Sequence, residues 1–219
     1  MRGDRWRGAR CGIRAGASDE AFIALHRAPA VRDAAGMDAT DGYTLRAATH
    51  ADIPRIAALI RISGIELSRG FYTQAQAAAL TEHVFGVDTR LVEDGTYYVI
   101  ERADALAACG GWSLRRTLFG GDQAKRGDDP LLNPAAEPSR IRAFFVAPAH
   151  ARRGLGTRLI HACEQAARRA GFASIELAST MPGVPLYASA GYEVVERFDV
   201  ELPGGVRAPL ARMAKRLVG

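Results

Sequence analysis

Two glycines at the start of a helix, with arginines around them, form the pattern in this sequence that most clearly indicates chemistry. A β-rich stretch at residues 141–146 runs through a short loop to Gly154 and Gly156, where an amphipathic helix begins. The first turn of a helix has free backbone amides and partial positive charge, which suits a phosphate, and glycine allows close approach. The segment therefore predicts a pyrophosphate-binding site, to which positive charge is added by Arg152, Arg153 and Arg158.

Two other phosphate-binding patterns fit this segment less well. A Walker A loop requires Gly-Lys-Ser/Thr after the glycines, and none follows Gly156. A dinucleotide-binding fingerprint requires a third glycine at the position of Leu159. It also requires an acidic residue at the end of a strand, where the carboxylate binds the ribose. Glu176 is the acid at the right distance, but it is predicted in the middle of a strand. The Rossmann interpretation is therefore rejected.

The elements that position these glycines alternate between strands and helices from residue 43 onward. Strands are predicted at 43–47, 97–101, 105–113, 140–146, 173–178, 193–201 and 208–217. Helices are predicted after the capping pair Thr49 and Asp52, over 73–85, over 154–170 and over 184–190. A glycine- and proline-rich loop of this length, residues 117–139, is typical of a functional segment. We expect it to form a wall of the functional site.

The 219-residue chain carries a formal net charge of +5 and three cysteines, Cys11, Cys109 and Cys163. This length is typical of one domain with an extension, and the weak charge argues against a dedicated nucleic-acid binder. Scattered cysteines and unpaired histidines predict a reducing, cytoplasmic setting with buried thiols and no metal site. No apolar stretch is long enough to span a membrane. Residues 1–41 are predicted to be a poorly ordered extension, and Met37 is the hypothetical natural start.

At this point the sequence resembles the GNAT N-acetyltransferase superfamily. Residues 144–148, Phe-Phe-Val-Ala-Pro, with Arg-Arg-Gly-Leu-Gly-Thr at 152–157, look like its acetyl-CoA signature. A second segment, Pro185-Leu-Tyr187 followed by Gly191-Tyr192, is similar to the other signature of this superfamily. The resemblance covers residues 42–217 and implies an α+β GNAT fold, a mixed central sheet flanked by helices in a single domain over 42–219.

The resemblance also implies which residues hold acetyl-CoA and which take part in the reaction. Tyr187 matches the tyrosine near the thioester sulfur and is predicted to protonate the leaving thiolate. The predicted cofactor-binding residues are Phe144, Phe145, Val146, Arg152, Arg153, Gly154, Leu155, Gly156, Thr157 and Thr180. Two of the family's positions differ here: Ala151 replaces a Gln or Arg, and Thr180 replaces an asparagine.

The acceptor side is less well specified by the sequence. Arg140 and Arg142 stand on the predicted central strand, where some family members have a carboxylate base. We consider them either structural ion-pair partners or, with Trp112, binders of a charged acceptor. Candidate bases are water, or else Glu101, Glu93 and His150.

The sequence therefore predicts acetyl transfer from acetyl-CoA to the amine of a small molecule or peptide by direct attack. No metal, nucleic acid or membrane partner is expected, and a homodimer is compatible with the sequence. The alternative is a CoA-binding sensor or interaction module of the same fold without turnover.

Overall fold

The computed structural model describes residues 42–125 and 127–217, which form seven strands and five α-helices. The strands are β1 (Thr44–Ala47), β2 (Tyr97–Arg102), β3 (Ala105–Ser113), β4 (Ser139–Val146), β5 (Ser174–Thr180), β6 (Glu193–Leu202) and β7 (Val206–Arg216). The helices are α1 (Ile53–Glu66), α2 (Gln74–His83), α3 (Thr89–Glu93), α4 (Leu155–Arg169) and α5 (Val184–Ser189). The extension predicted over 1–41, with Cys11 and Met37, lies outside the described residues. No helix in the described ranges is long and apolar enough to cross a membrane.

One parallel pair of strands interrupts an otherwise antiparallel sheet. The strand order is β1-β2-β3-β4-β5-β7-β6, and only β4 and β5 run in the same direction. Their pairing is limited to Ser139 with Ile175 and Arg140 with Glu176. Beyond these residues the two strands have no ladder pairs, so the sheet opens between them. The mixed sheet flanked by helices confirms the predicted fold class.

The helices cover the two faces of this sheet. Alternate residues of a strand point to opposite faces. Tyr98 and Ile100 of β2 accordingly pack with the buried face of α4, while Tyr97 and Val99 pack with α1. Leu159, Ile160 and Cys163 are the fully buried centre of the α4 face, and Ile56 and Ile60 are that of α1. The two predicted amphipathic helices therefore hold the sheet from both sides.

A bulge in β4 lies directly beside the opening of the sheet. The register with β3 passes from Arg142 opposite Gly111 to Phe145 opposite Cys109, which leaves an extra residue on β4. Ala143 has a φ of +54°, a value that L-residues rarely adopt. A Cβ at Gly110 would lie 2.3 Å from the ring of Phe144. Because glycine has no Cβ, the Phe144 ring can lie over β3.

Most predicted elements occur, with small differences in their ends. Helix α2 is shorter than the predicted 73–85, and α3 was not predicted at all because only five residues form it. The predicted 117–139 loop contains a 3₁₀ turn at Asp122–Ala124 and a bridge between Arg115 and Leu131. Cys109 and Cys163 are buried free thiols, as expected, and burial raises the pKa of Cys109 to about 12.

The predicted capping pair forms at the turn that leads into α1. The Asp52 carboxylate accepts hydrogen bonds from the backbone N–H of Thr49 at 2.8 Å and from its hydroxyl at 2.9 Å. The Arg46 guanidinium also binds both oxygens of Asp52, each at 2.7 Å. These donors, Arg46 first, lower the pKa of Asp52 well below its usual range.

We expect Asp52→Asn to destabilise the protein at neutral pH by about 1–3 kcal/mol, the usual cost of a lost charged hydrogen bond. The folded-state pKa is lowered, so this contribution is present above the unfolded pKa, near 4, and is lost as the pH falls further. Urea unfolding at pH 7 and pH 3 measures this change. The difference in the free energy of unfolding between wild type and Asp52→Asn should be smaller at pH 3 than at pH 7. The control substitution Glu66→Gln, at an exposed position, should change this free energy very little at either pH. A difference of equal size at both pH values would contradict the assignment.

Candidate active site

A cavity of about 730 Å³ occupies the opening between β4 and β5. The β4 wall is formed by residues 141–146 and the β5 wall by residues 178–180. At one end lie the turn before α4 and the first residues of that helix. At the other end lie the last turn of α1, the segment after α2 and residues 119–121. One cavity therefore joins the predicted phosphate site to a second chamber.

The start of α4 has the backbone geometry of an anion site. Gly154 is the N-cap residue with a φ of +77°, and Arg152 also has a positive φ, +61°. The first hydrogen bond of the helix runs from the N–H of Arg158 to the carbonyl of Gly154, at 3.0 Å. The N–H groups of the first turn therefore have no intrahelical acceptors. Left-handed residues in such a turn make a concave set of N–H groups that suits a phosphate.

The two glycines of this motif have different surroundings. A Cβ at Gly154 would have no atom within 4 Å, so the space beside it is open. A Cβ at Gly156 would lie 2.7 Å from Cδ2 of Leu186 in α5. Gly156 thus lets α4 pack against α5, and Gly154 is the position at which a ligand has free access to the backbone.

The edge of β4 that faces the opening has backbone groups without a neighbouring strand. Pairing with β5 ends at Arg140, so from Ile141 onward this edge has no ladder partner in the described part of the chain. Unpaired strand edges hydrogen-bond readily to an extended ligand. The free edge of β4 therefore offers a track from the anion site toward the second chamber.

The residues predicted to bind the cofactor lie together along this track, with one exception. Phe144, Phe145, Val146, Arg152, Gly154, Leu155, Gly156, Thr157 and Thr180 all line the cavity. Arg153 is exposed and is not among the lining residues. Its predicted role therefore has no geometric support.

Tyr187 lies in the middle of the cavity wall. It is 6% exposed, and its ring packs 6.1 Å from that of Phe144 and 5.7 Å from that of Tyr192. Burial raises the pKa of the Tyr187 phenol well above its usual range, so the hydroxyl stays protonated. Among the described residues this hydroxyl has no hydrogen-bond partner, which leaves it available as a donor.

Arg142 has a structural environment and does not present a free charge to the cavity. Its side chain is 1% exposed, and its guanidinium lies 2.5 Å from Asp88 and 3.3 Å from Asp129. Asp88 is fully buried and also pairs with Lys125. The structure therefore favours the ion-pair interpretation of Arg142 over the binding of an acceptor carboxylate.

The contacts of Arg140 and Trp112 also favour a structural role. Arg140 pairs with Glu176 at 2.7 Å, and its guanidinium also donates to the carbonyl of Pro138. Trp112 is completely buried, with its ring 6.1 Å from that of Phe172. Neither residue lines the cavity. In both cases the sequence gives the residue type but does not show which neighbouring group the side chain contacts.

The candidate bases differ in their access to the cavity. Glu101 is held by Arg46 at 2.7 Å and by Arg55 at 2.9 Å, and chiefly its hydrogen bond with Arg46 lowers its pKa. Glu93 lies on the surface beside Arg90. His150 lines the cavity at the anion end, where its Nδ1 is 2.7 Å from the Tyr43 hydroxyl. Of the three, only His150 reaches the cavity.

The second chamber is built from residues that the sequence did not single out. Three phenylalanines from separate segments, Phe71, Phe85 and Phe119, lie on its wall with two buried serines, Ser63 and Ser68. The predicted role of the 117–139 loop as a wall has support in residues 119–121, which line the chamber. Gly121 donates to the carbonyl of Val84 at 2.9 Å, so the loop lies directly beside the end of α2. The sequence shows a long loop but not which segment it packs against.

The model of the acetyltransferase (GNAT) family matches residues 65–192, more than half of the chain. The chain belongs to this family, whose members are N-acetyltransferases, and the predicted resemblance is confirmed. No curated protein sequence matches the chain.

Solved structures with the same fold cover most of the chain. A GCN5-related N-acetyltransferase from Rhodopseudomonas palustris has a TM-score of 0.58 at 18% identity, covering 79% of this chain and 94% of its own. The yncA putative acetyltransferase from Salmonella typhimurium, solved with acetyl-CoA, scores 0.54 at 20% identity, covering 81% and 95%. The PaiA N-acetyltransferase from Thermoplasma acidophilum, solved with coenzyme A, scores 0.54 at 11% identity, covering 80% and 98%. At these identities the similarity shows the fold.

Proposed function

We propose that this protein transfers the acetyl group of acetyl-CoA to the amine of a small molecule or peptide. The observation that carries the proposal is the continuous cavity from the anion site at α4, along the free edge of β4, to the Tyr187 hydroxyl. The complexes of the Salmonella and Thermoplasma proteins with acetyl-CoA and coenzyme A support the same ligand here.

The residues at the two ends of the track fit the two parts of this ligand. The free amides of the first turn of α4, with Arg152 and the open space at Gly154, would hold the pyrophosphate. The backbone of Phe144, Phe145 and Val146 would hydrogen-bond the extended pantetheine arm. Thr157 and Thr180 line the same cavity and would supply hydroxyls.

When bound, acetyl-CoA supplies an activated acyl group in the form of its thioester. The amine attacks the carbonyl carbon directly, forming the C–N bond while the C–S bond breaks. Backbone N–H groups on the free edge of β4 would stabilise the developing oxyanion. Tyr187 would donate a hydrogen bond, and then its proton, to the departing sulfur. The amine proton would leave to water, because no carboxylate is among the described lining residues and the candidate base His150 lies at the anion end of the cavity.

A second candidate function is a CoA-binding sensor or interaction module without turnover. The free donor at Tyr187 favours the enzyme, since binding alone does not require a proton donor beside the cavity. A sensor would release heat on binding acetyl-CoA and would liberate no CoA thiol when amines are added. The two candidates therefore separate in an assay of thiol release.

We expect acetyl-CoA to raise the melting temperature by roughly 5–10 °C at a concentration a hundred times its Kd. Gly154→Ala should weaken this binding at least about tenfold, because a Cβ would occupy the open space beside the anion site. Thermal shift against acetyl-CoA concentration is the measurement.

Gly204→Ala is the matched control for this substitution. Gly204 has a φ of +75°, nothing within 4 Å of its Cβ position, and a place in the β6–β7 turn, outside the cavity lining. Both variants should lose similar stability from backbone strain. Equal acetyl-CoA affinity in Gly154→Ala and Gly204→Ala would show that the anion site is wrongly assigned.

A further inference from the structure

The second chamber of the cavity has an aromatic wall made by three distant segments. Phe71 follows α1, Phe85 follows α2, and Phe119 belongs to the loop after β3. The ring of Phe85 fits against α1 because Gly64 has no Cβ, which would lie 2.7 Å from that ring. The same ring packs edge-on against Phe145 at 5.4 Å between centroids. Phe85 is therefore held in place by packing, and the wall as a whole is apolar.

Two buried serines line the same chamber. Ser63 and Ser68 are 4% and 3% exposed, and both residues line the cavity. Neither hydroxyl bonds to another described residue, and neither oxygen is among the fully buried unpaired atoms, so both are accessible from the cavity. An accessible hydroxyl on a cavity wall can donate to and accept from a ligand group. A primary amine has the N–H donors and the lone pair for both.

The charged side chains that line the cavity lie away from this chamber or are already neutralised. His150 and Arg152 belong to the anion end. Arg142 lies between the two ends, but its guanidinium already forms ion pairs with Asp88 and Asp129. An acceptor that brought a further charge into the chamber would lose its hydration without gaining an ionic partner from these lining residues.

Phe71 connects the chamber to the protein surface. It lines the cavity, and its side chain is about half exposed. An exposed apolar side chain at the mouth of a cavity can contact the part of a ligand that extends out of it. An apolar body longer than the chamber would keep its contact with Phe71.

We propose that the acceptor is a primary amine on an apolar, alkyl or aromatic body that carries no other charge. The inference rests on the proposed transferase function and names its substrate class. The amine nitrogen faces Ser63 and Ser68, and the body packs on Phe71, Phe85 and Phe119. In the reaction the nitrogen gains the acetyl carbon and loses one proton, while the CoA sulfur leaves and gains one.

Matched pairs of amines test the proposal with the full-length protein and acetyl-CoA. Phenethylamine and phenylalanine share the aromatic body and differ by a carboxylate, and hexylamine and hexamethylenediamine differ by a second amine. The measured quantity is kcat/KM, obtained from thiol release and corrected for the fraction of free amine. We expect it to be at least about tenfold higher for phenethylamine than for phenylalanine, and for hexylamine than for hexamethylenediamine. Equal or reversed preference would overturn the substrate class and leave the transferase function standing. Acetyl-CoA binding with no thiol release from any amine would instead overturn the transferase function.

Phe71→Ala localises the effect, and Val195→Ala is its control. Both side chains are about half exposed, so neither substitution should prevent folding, and Val195 stands on the outer strand β6, away from the cavity. We expect Phe71→Ala to raise the KM for phenethylamine at least about fivefold, with the acetyl-CoA KM unchanged. Val195→Ala should change neither KM. An unchanged phenethylamine KM in Phe71→Ala would contradict the aromatic wall as the acceptor site.

Discussion

Tyr187→Phe is expected to lower kcat by about 10²–10⁴-fold, the usual contribution of a general acid. The substitution keeps the ring that packs against Phe144 and Tyr192 and removes only the hydroxyl. Affinity for acetyl-CoA, measured by thermal shift, should therefore change little. Steady-state thiol release with a good acceptor amine gives kcat. A variant that keeps more than about half of the wild-type kcat would end the proton-donor assignment.

Tyr192→Phe is the matched control for this variant. Its ring touches that of Tyr187 and is 3% exposed, but the residue does not line the cavity. Loss of its hydroxyl should leave kcat close to wild type. A fall of similar size in both variants would show that the effect comes from packing.

The raised pKa of Tyr187 also sets the expected pH dependence. Burial holds this pKa well above 10, so the phenol remains a donor throughout the range in which the acceptor amine loses its proton. We expect kcat/KM to rise with pH as the free amine accumulates, without a descending limb from Tyr187 below about pH 10.

Arg142→Met is expected to be the most destabilising single substitution, at about 3–5 kcal/mol. It leaves the fully buried Asp88 without the guanidinium that lies 2.5 Å away, and Asp129 loses the same partner. The corresponding fall in melting temperature is on the order of 10 °C. Because Asp88 and Asp129 belong to the segments that carry the aromatic wall, the KM for the acceptor should rise more than that for acetyl-CoA.

Two further variants compare the contribution of this buried ion pair to stability with that of an ion pair on the surface. Arg90→Met breaks an ion pair with Glu93 in which both side chains are about half exposed, and should cost less than about 1 kcal/mol. The double variant Asp88→Asn with Arg142→Met removes both charges of the buried pair and should cost less than the sum of its single variants. Equal effects of Arg142→Met and Arg90→Met on unfolding would contradict the structural role of Arg142.

The sequence predicts those parts of the site that lie close together along the chain. The proposed anion site depends on a few consecutive residues before α4, with left-handed Gly154 as N-cap, so a local pattern predicts it. Tyr187 was singled out only by the resemblance of its segment, with Gly191-Tyr192, to the family's second signature. The sheet could be predicted because each strand shows its own apolar pattern, while the five-residue helix α3 is too short to show one.

The proposed acceptor end could not be predicted, because its parts meet only in the folded protein. Phe71, Phe85 and Phe119 belong to three segments, and nothing local distinguishes them from core aromatics. Arg142 was open to two interpretations because its partner Asp88 lies before β2, while Arg142 itself stands in β4. A charged residue in a strand indicates a partner without saying whether that partner is a ligand or another side chain.

The central claim is that this chain passes an acetyl group from acetyl-CoA to an amine in the cavity between β4 and β5. The most direct test is mass spectrometry of the amine product with parallel measurement of free CoA thiol, using the wild-type protein and phenethylamine. The account predicts one N-acetylated amine for each CoA released, with both products reduced together at least about a hundredfold in Tyr187→Phe. CoA release without N-acetylated product, or acetyl-CoA binding with neither product across the amine pairs, would contradict it.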